Sequence, residues 1–491
     1  YIKVFKIVGG LLLIAFFYYY YNRPIKRLST ENLSSNEIKI TSPDTSFVEV
    51  FPKKEYYLVN EEVVVQITSR DKYGHATQTG GDLYAVRVWS GQFSMGIDMS
   101  DTNNGIYTAS VPLLWNGTLH IEGRLLVSSR ASQLIEGYLE RDYFLKEWTK
   151  SAVFKKGNRQ VVMPCSDSEL TGDYCDLRQY NGMDPWFCRK PKNMTCQDFH
   201  YDSERPKLPP EAEYLFPVGD ERALSWDKPL KTIWIKVIGD MKITQPEERT
   251  SCEAGIPGEA LSGYFQGTKW RSFNCETKTF DAKMIRHCLA NKTLLLYGDS
   301  NARYFSQKLI SLLTDESFSF SAFQTKKFCP ASNTTVEYYP LGHGLGKYPR
   351  SSFALYSMDD VLSPRPDVDI VIISLSAHFT FLSRESLTRK FLQLRQTLEK
   401  WMSVFPKVKI FLRSPHFRET PSIKSALLKF NNWNGFQAYK LIQSAFQGSN
   451  IYFIDIHNMV VSLGGKYDLH PPAIIVKQSI DFVLSIFCTD I

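Results

Sequence analysis

The segment TLLLYGDSNARYF, residues 293–305, joins an apolar strand-like run to residues that can open a helix. Gly298 permits a tight turn between the two parts, so Ser300 can present its hydroxyl at the start of the helix. The Ser300 backbone N–H would there face developing negative charge. The segment therefore indicates a nucleophile turn, although a turn in which Asp299 or Ser300 only caps the helix is a common alternative.

The C-terminal half of the chain alternates apolar strand-like runs with amphipathic helical segments. That order favours a parallel sheet with helices on both faces. The four runs are TLLLYG (293–298), DIVIISL (369–375), KVKIFLR (407–413) and IYFIDI (451–456). Between the second and third runs, apolar residues recur at helical spacing and predict a core-facing stripe. Its members are Leu387, Phe391, Leu394, Leu398 and Trp401.

A histidine suited to act as the base for Ser300 lies in DLHPP, residues 468–472. Serine chemistry needs a base, and that base commonly lies far away in sequence. His470 follows Asp468 closely, on a loop before the last helical segment. This pairing moves the interpretation of Ser300 from a helix cap toward a nucleophile.

Further motifs stand in order between these two segments: His343-Gly344, Ser376-Ala377-His378-Phe379 and Asn432-Trp433-Asn434-Gly435. Together with LLLYGDS and DLHPP, they resemble the SGNH/GDSL hydrolase fold, and specifically the PC-esterase branch that includes the neurexophilin and PC-esterase proteins. Upstream, DTNNGIYTASVPLLWNGTLHIEGRLLVSS (residues 101–129) resembles the neurexophilin-type sandwich that precedes such a module. Coordinated motifs are more specific than any one short pattern.

The resemblance implies that Ser300 is the nucleophile, His470 the general base and Asp468 its orienting acid. Many SGNH enzymes separate acid and base by two residues, whereas only Leu469 intervenes here. A Ser/His dyad is therefore an alternative to a triad. Asp455, at the end of a strand-like run, is another candidate acid, although a strand-end turn residue is the more common interpretation.

The resemblance also implies an oxyanion hole built from the Ser300 N–H, the Gly344 N–H and a third donor. Where many SGNH members have an asparagine for this third donor, the chain offers Ser376 or His378. His378 is equally well explained as a histidine satisfied by backbone at a strand end. Many family members read GDS-T-x-R-Q-W, and Arg303 keeps the arginine of that pattern as a candidate substrate contact.

The N-terminal half predicts an immunoglobulin-like β-sandwich at residues 44–150, because short runs alternate with period two between turn signals. The runs are SFVEVF, EEVVVQIT, LYAVRVW, GIYTASVP and TLHIEGRLLV. Residues 151–250 hold four cysteines and a proline-rich segment, which predicts a disulfide-pinned connector. The predicted fold is thus an SGNH-hydrolase-like α/β parallel sheet with flanking helices at residues 251–491, preceded by the sandwich.

Residues 7–21 are uncharged and almost wholly apolar, which predicts a membrane-spanning signal anchor after a short cytosolic end. The polar residues 22–43 are typical of a stem. Nine cysteines behind a secretory segment predict disulfides, with at least one thiol left unpaired by the odd count. Five N-x-S/T sequons predict glycosylation at Asn32, Asn116, Asn193, Asn291 and Asn333.

The net charge of +7 arises from 58 basic and 51 acidic residues without a long run of like charges, so a nucleic-acid partner is not indicated. PC-esterase proteins include Golgi enzymes that O-acetylate glycans, sialic acids among them. By that resemblance we expect a Golgi membrane O-acetyltransferase, secreted if the anchor is cleaved, that uses acetyl-CoA, needs no metal and acts on a glycan or glycoprotein. A carbohydrate esterase and a catalytically inactive glycoprotein that binds a partner are the alternatives.

Overall fold

The structure is a computed structural model of the chain. It describes residues 40–141, 150–178, 184–202, 229–240, 252, 254–255, 261–320, 326–340, 365–375, 379–380, 382–418, 431–465 and 468–489. The predicted anchor, the stem up to residue 39 and Asn32 lie outside the described residues. Within them, no helix is both long and apolar enough to cross a membrane.

Two β-sheets share one apolar core in the N-terminal part of the described chain. The strands from this part are β1 (Phe47–Phe51), β2 (Tyr57–Leu58), β3 (Glu62–Thr68), β4 (Leu83–Ser90), β5 (Phe93–Ile97), β6 (Ser100–Asp101), β7 (Ile106–Pro112) and β8 (Gly117–Val127). One sheet has the order β1-β3-β7-β6. Val63, Val65 and Ile67 of β3 are buried while their neighbours face outward, as the period-two pattern predicts.

A helix and a small sheet follow the sandwich strands. Helix α1 (Ser129–Glu140) begins where the Ser128 side chain accepts a hydrogen bond from the Ala131 N–H. Next come β9 (Ser151–Lys156), β10 (Arg159–Ser166), β11 (Tyr174–Asp176), β12 (Phe187–Arg189) and β13 (Phe199–Asp202), in the order β11-β12-β10-β9-β13. Phe154 and Trp186 belong to the same core as the C-terminal sheet. The described part of the predicted connector up to residue 202 therefore forms a sheet of its own.

Three strands from beyond residue 150 also belong to the sandwich. Strands β14 (Ile233–Ile238), β15 (Gly263–Gln266) and β16 (Lys269–Ser272) all join the second sandwich sheet, in the order β16-β15-β5-β4-β8-β14-β2. Strands β5 and β8 would otherwise expose unpaired backbone groups, and these later strands satisfy them. The sandwich thus takes strands from both the predicted connector and the predicted C-terminal domain.

The C-terminal sheet has the order β18-β19-β17-β20-β21-β22 and is parallel except for the antiparallel pair β18/β19. Its elements are α2 (Ala282–Cys288), β17 (Thr293–Gly298), α3 (Ser300–Thr314), β18 (Lys326–Cys329), β19 (Thr334–Pro340), β20 (Ile370–Ser374), α4 (Arg384–Val404), β21 (Lys409–Arg413), α5 (Asn432–Phe446), β22 (Tyr452–Ile454), α6 (Ile456–Leu463) and α7 (Ala473–Phe487). The predicted parallel arrangement is confirmed for β17, β19, β20, β21 and β22.

The order of these strands places a topological switch point beside β17. The chain runs from β17 to β19 on one side and then returns to β20 on the other side. Open α/β sheets bind ligands outside the carboxyl ends of strands at such a point. The apolar stripe predicted on the helix between β20 and β21 is confirmed, because all five residues are buried on α4.

The sandwich and the C-terminal sheet meet where α6 packs on β5. The Gly96 N–H donates to Ser462 Oγ at 2.7 Å, and a side chain at Gly96 would place its Cβ only 2.9 Å from Val461. Just after β5, the Asp98 carboxylate lies 3.2 Å from His457 Nε2 and 3.5 Å from Lys440 Nζ. Polar and charged groups therefore join two regions that the sequence predicts as separate domains.

The predicted disulfides are confirmed. Four bonds join Cys165–Cys188, Cys175–Cys196, Cys252–Cys275 and Cys288–Cys488. Cys329 is a free, buried thiol, as the odd count requires. The four sequon asparagines in the described residues are exposed, and Asn291 and Asn333 hydrogen bond to each other at 2.7 Å.

Candidate active site

The turn after β17 is made possible by Gly298. Its φ of +147° is unfavourable for side-chain-bearing residues, and a Cβ there would run into the carbonyl oxygen of Ser374 at the end of β20. This close approach lets the Asp299 N–H donate to that carbonyl at 2.8 Å. The backbone therefore turns sharply from β17 into α3 at the carboxyl edge of the sheet.

Asp299 caps helix α3, as one of the two sequence interpretations expected. The fully buried Asp299 carboxylate accepts hydrogen bonds from the Asn301 N–H at 2.9 Å and from Ser374 Oγ at 3.2 Å. Because Asp299 caps the helix, the hydroxyl of Ser300 is not needed for that purpose. The turn serves both as a helix cap and as a platform for a serine.

Ser300 and His470 come together across the site. His470 Nε2 lies 2.8 Å from Ser300 Oγ, although the two residues belong to opposite ends of the C-terminal region. Ser300 is the first residue of α3, so its N–H is among the first-turn donors that have no partner within the helix. A serine hydroxyl, a base and a helix N-terminus thus occupy one place.

The surroundings of His470 hold its ring in place and keep it neutral. The ring stacks on Tyr304 with 4.1 Å between centroids and 18° between planes. Partial burial, followed by the charge of Arg303, lowers the pKa of His470 below its ordinary value of 6.5. A neutral imidazole is the form that can accept the proton of a serine.

The two candidate acids do not contact His470. Asp468 is exposed, and within the described part of the chain its carboxylate makes no hydrogen bond or ion pair with His470. The Asp455 carboxylate caps α6 by accepting from the Asn458 N–H at 3.1 Å and is also within 3.3 Å of the Tyr439 hydroxyl. Asp455 therefore is the strand-end residue that the sequence favoured, and the described geometry is a Ser/His dyad.

Two buried arginines, one at the end of β21 and one in the segment after it, give the site positive charge. Arg413 and Arg418 are 2% and 7% exposed, and burial lowers the pKa of each guanidinium to about 10, against the opposing effect of the Asp299 carboxylate. Arg413 Nη1 lies 3.5 Å from Ser374 Oγ, and Arg418 Nη2 lies 3.5 Å from Thr380 Oγ1. Both remain cations at neutral pH.

A small cleft lies at the residue that follows Ser300. Its lining includes Asn301, Thr380, His416, Arg418 and Asn431. Among the described residues, Asn301 Oδ1 and His416 Nε2 are buried without a hydrogen-bond partner. Buried polar atoms are nearly always satisfied in proteins, so this pair needs an explanation.

The remaining predicted site residues divide into two groups. The charge of Arg303 lowers the pKa of His470, and its role as a substrate contact stays a prediction. Gly344, Ser376 and His378 lie outside the described residues, so the second and third oxyanion donors stay predictions. No group of three or more His, Cys, Asp or Glu side chains in the described ranges is arranged to hold a metal ion.

The sequence interpretation missed the segment RSPHFR, residues 413–418. It supplies Arg413 at the end of the buried strand β21, and His416 and Arg418 directly after that strand. A usable signal was present, because polar residues that follow a buried parallel strand collect at the same edge of the sheet as Ser300. These three residues do not form a short pattern of known spacing, so the sequence carries no recognisable motif for them.

Comparison with known proteins adds a family relationship for the C-terminal part. Residues 270–488, a little under half of the chain, match the family model of the NXPE family member 4-like, C-terminal domain. The match agrees with the PC-esterase resemblance of the motifs in this region. The neurexophilin-type resemblance of residues 101–129 lies outside the matched range and stays a prediction.

Three solved structures are also similar to the chain. A GDSL-like lipase from Parabacteroides merdae is 13% identical over 40% of this chain and 96% of its own, with a TM-score of 0.25. A family two carbohydrate esterase from Clostridium thermocellum is 8% identical over 88% of this chain and 93% of its own, with a TM-score of 0.23. The Lin-41 filamin domain is 15% identical over 18% of this chain and 83% of its own, with a TM-score of 0.15.

Proposed function

We propose that the protein catalyses serine-dependent acyl transfer to hydroxyl groups of glycans. The observation that carries the proposal is the 2.8 Å contact between Ser300 Oγ and His470 Nε2 at the carboxyl edge of a parallel sheet. A nucleophile, a neutral base and a helix N-terminus are the parts that acyl transfer requires. The matched PC-esterase-like family of residues 270–488 supports the same class of chemistry.

In this mechanism Ser300 Oγ attacks the acyl carbonyl while His470 Nε2 accepts the hydroxyl proton. The tetrahedral oxyanion forms at the N-terminus of α3, where the Ser300 N–H and the helix dipole stabilise it. His470 then returns the proton to the leaving group, and the acyl group stays on Ser300. The buried cations Arg413 and Arg418 make the potential at the oxyanion more positive.

For the finer assignment, we propose acetyl-CoA as the donor and a sialylated glycan as the acceptor. Two buried guanidiniums favour an anionic ligand, and a sialic acid supplies a carboxylate. We further propose that the enzyme works in the Golgi lumen, held there by residues 7–21, with the sandwich as a spacer or recognition module. Four disulfides and exposed sequons support an oxidising, glycosylating compartment.

The test incubates the full chain with labelled acetyl-CoA and sialylated glycans, and detects acetylated sugar by mass spectrometry. Transfer by the wild type that is lost in Ser300→Ala supports the acyltransferase. Ser300-dependent cleavage of acetylated sugars without transfer assigns a carbohydrate esterase instead. Equal signals from wild type and Ser300→Ala would show that the site is a scaffold and overturn the proposal.

A further inference from the structure

The cleft beside Ser300 contains two hydrogen-bond acceptors that nothing in the described chain satisfies. Asn301 is 4% exposed and His416 is 9% exposed, yet Asn301 Oδ1 and His416 Nε2 have no partner. A buried polar group left unsatisfied costs about 1–3 kcal/mol, so a ligand that supplies donors gains affinity there. Asn301 directly follows the serine in the chain, and His416 lines the same cleft as Asn301.

The protonation of His416 decides what kind of ligand the cleft accepts. Burial, and then the charges of Arg413 and Arg418, lower the pKa of His416 far below its ordinary value, so the ring is neutral. The Asp468 backbone acts in the opposite direction and favours the protonated ring. A neutral imidazole carries one lone pair, and we assign it to Nε2, the nitrogen that has no partner among the described residues.

We propose that this cleft binds the acyl acceptor, and that Asn301 Oδ1 and His416 Nε2 accept hydrogen bonds from two hydroxyl groups of one polyhydroxylated molecule. The inference rests on the proposed acyl transfer and assigns its acceptor subsite. During transfer, the attacking hydroxyl oxygen bonds to the acyl carbon as the bond to Ser300 Oγ breaks. Its proton passes to His470 and then to Ser300 Oγ, so His416 binds the acceptor without exchanging a proton.

A binding experiment tests the subsite without requiring chemistry. The full chain carrying Ser300→Ala is titrated with sialyllactose and, separately, with n-propanol, and binding is followed by saturation-transfer NMR. We expect sialyllactose to bind and n-propanol to show no binding at the same concentration. Adding His416→Leu or Asn301→Leu raises the sialyllactose Kd about tenfold or more, because each removes one acceptor.

Two controls separate loss of the acceptor from loss of structure. His416→Gln keeps an oxygen acceptor and is expected to lose less affinity than His416→Leu. His287→Leu changes an exposed histidine at the end of α2 and leaves the Kd unchanged. Thermal denaturation of each variant identifies any that fails to fold, and the His416→Gln comparison then decides the result.

A transfer experiment with intact Ser300 distinguishes failure of the subsite from failure of the proposed function. The readout is the ratio of acetyl transfer to sialyllactose over transfer to n-propanol. A ratio that falls at least tenfold in His416→Leu supports the subsite. An unchanged ratio and Kd in both leucine variants would overturn the subsite while leaving acyl transfer intact. Sialyllactose binding that depends on His416, without any Ser300-dependent transfer, would overturn the function and retain the subsite.

Discussion

His457 and His470 both use Nε2 for a hydrogen bond, but their partners differ. His457 Nε2 lies 3.2 Å from the Asp98 carboxylate, and its ring stacks on Tyr439 with 4.3 Å between centroids. His470 Nε2 lies 2.8 Å from the hydroxyl of Ser300. A carboxylate stabilises the protonated imidazole, whereas a serine hydroxyl does not. The acid-paired histidine thus belongs to the junction with the sandwich, whereas His470 has no acid partner among the residues that the structure describes.

The comparison also shows how the sandwich supports the site. The His457 backbone N–H donates to Ser414 Oγ at 3.0 Å, and Ser414 lies in the segment that carries Arg413 and His416. Asp98 reaches this histidine from the sandwich and ionises readily: burial alone would raise its pKa, but His457 and Lys440 lower it to about 2. A sandwich residue therefore helps to position a segment that lines the candidate site.

The largest expected effect is that of His470→Ala. Removing the base leaves Ser300 without a proton acceptor, so acyl transfer falls by about three orders of magnitude or more. The measurement is kcat for Ser300-dependent acetylation with the full chain. The control is His287→Ala at an exposed position. A His470→Ala enzyme that keeps more than a tenth of the activity would show that another residue acts as the base.

The next largest expected effect is a loss of stability when the carboxylate partner of His457 is removed. Asp98→Ala leaves His457 and Lys440 without their carboxylate partner, and we expect the free energy of unfolding to fall by about 1–3 kcal/mol. Urea denaturation measures the change, with Asp240→Ala as a control at an exposed aspartate. Asp98→Ala with wild-type stability would mean that the junction does not depend on this contact.

A smaller effect is expected from Asp468→Asn. The Asp468 carboxylate is exposed and does not contact His470 in the described structure, so removing its charge changes kcat/KM by less than about threefold. The same assay with Ser300-dependent acetylation measures it. A loss of two orders of magnitude or more would show that Asp468 acts as the acid of a triad, as the family resemblance implies. His470 would then have an acid partner, as His457 does.

Much of the fold follows from local patterns, and its boundaries do not. The quoted runs coincide with β17, β20, β21 and β22, because apolar strands between helices leave a clear pattern in sequence. The joining of β14, β15 and β16 to the sandwich depends on which distant strand offers unpaired backbone groups. No local pattern records that choice, so the sequence does not predict which sheet these three strands join.

The candidate site, like the fold, could be predicted from the sequence only in part. Ser300 and His470 stand in motifs of recognisable spacing, and the structure brings them within hydrogen-bond distance. The role of His416 depends on burial, on two neighbouring cations and on an Asp468 backbone contact. These arise only when β21 and the loop before α7 meet in three dimensions. A single histidine in RSPHFR carries no sign of them in sequence.

The smallest effect is a shift in pH dependence caused by Arg303→Gln. Arg303 is one of the groups that lower the pKa of His470, because its charge repels the protonated imidazole. Without that charge the pKa of His470 rises, so less neutral base is present at acidic pH. We therefore expect the acidic limb of kcat/KM to move to higher pH in Arg303→Gln and to stay in place in Arg303→Lys, which keeps the charge. If the limb moves to lower pH, or moves equally in both variants, His470 is not the group whose titration limits the reaction.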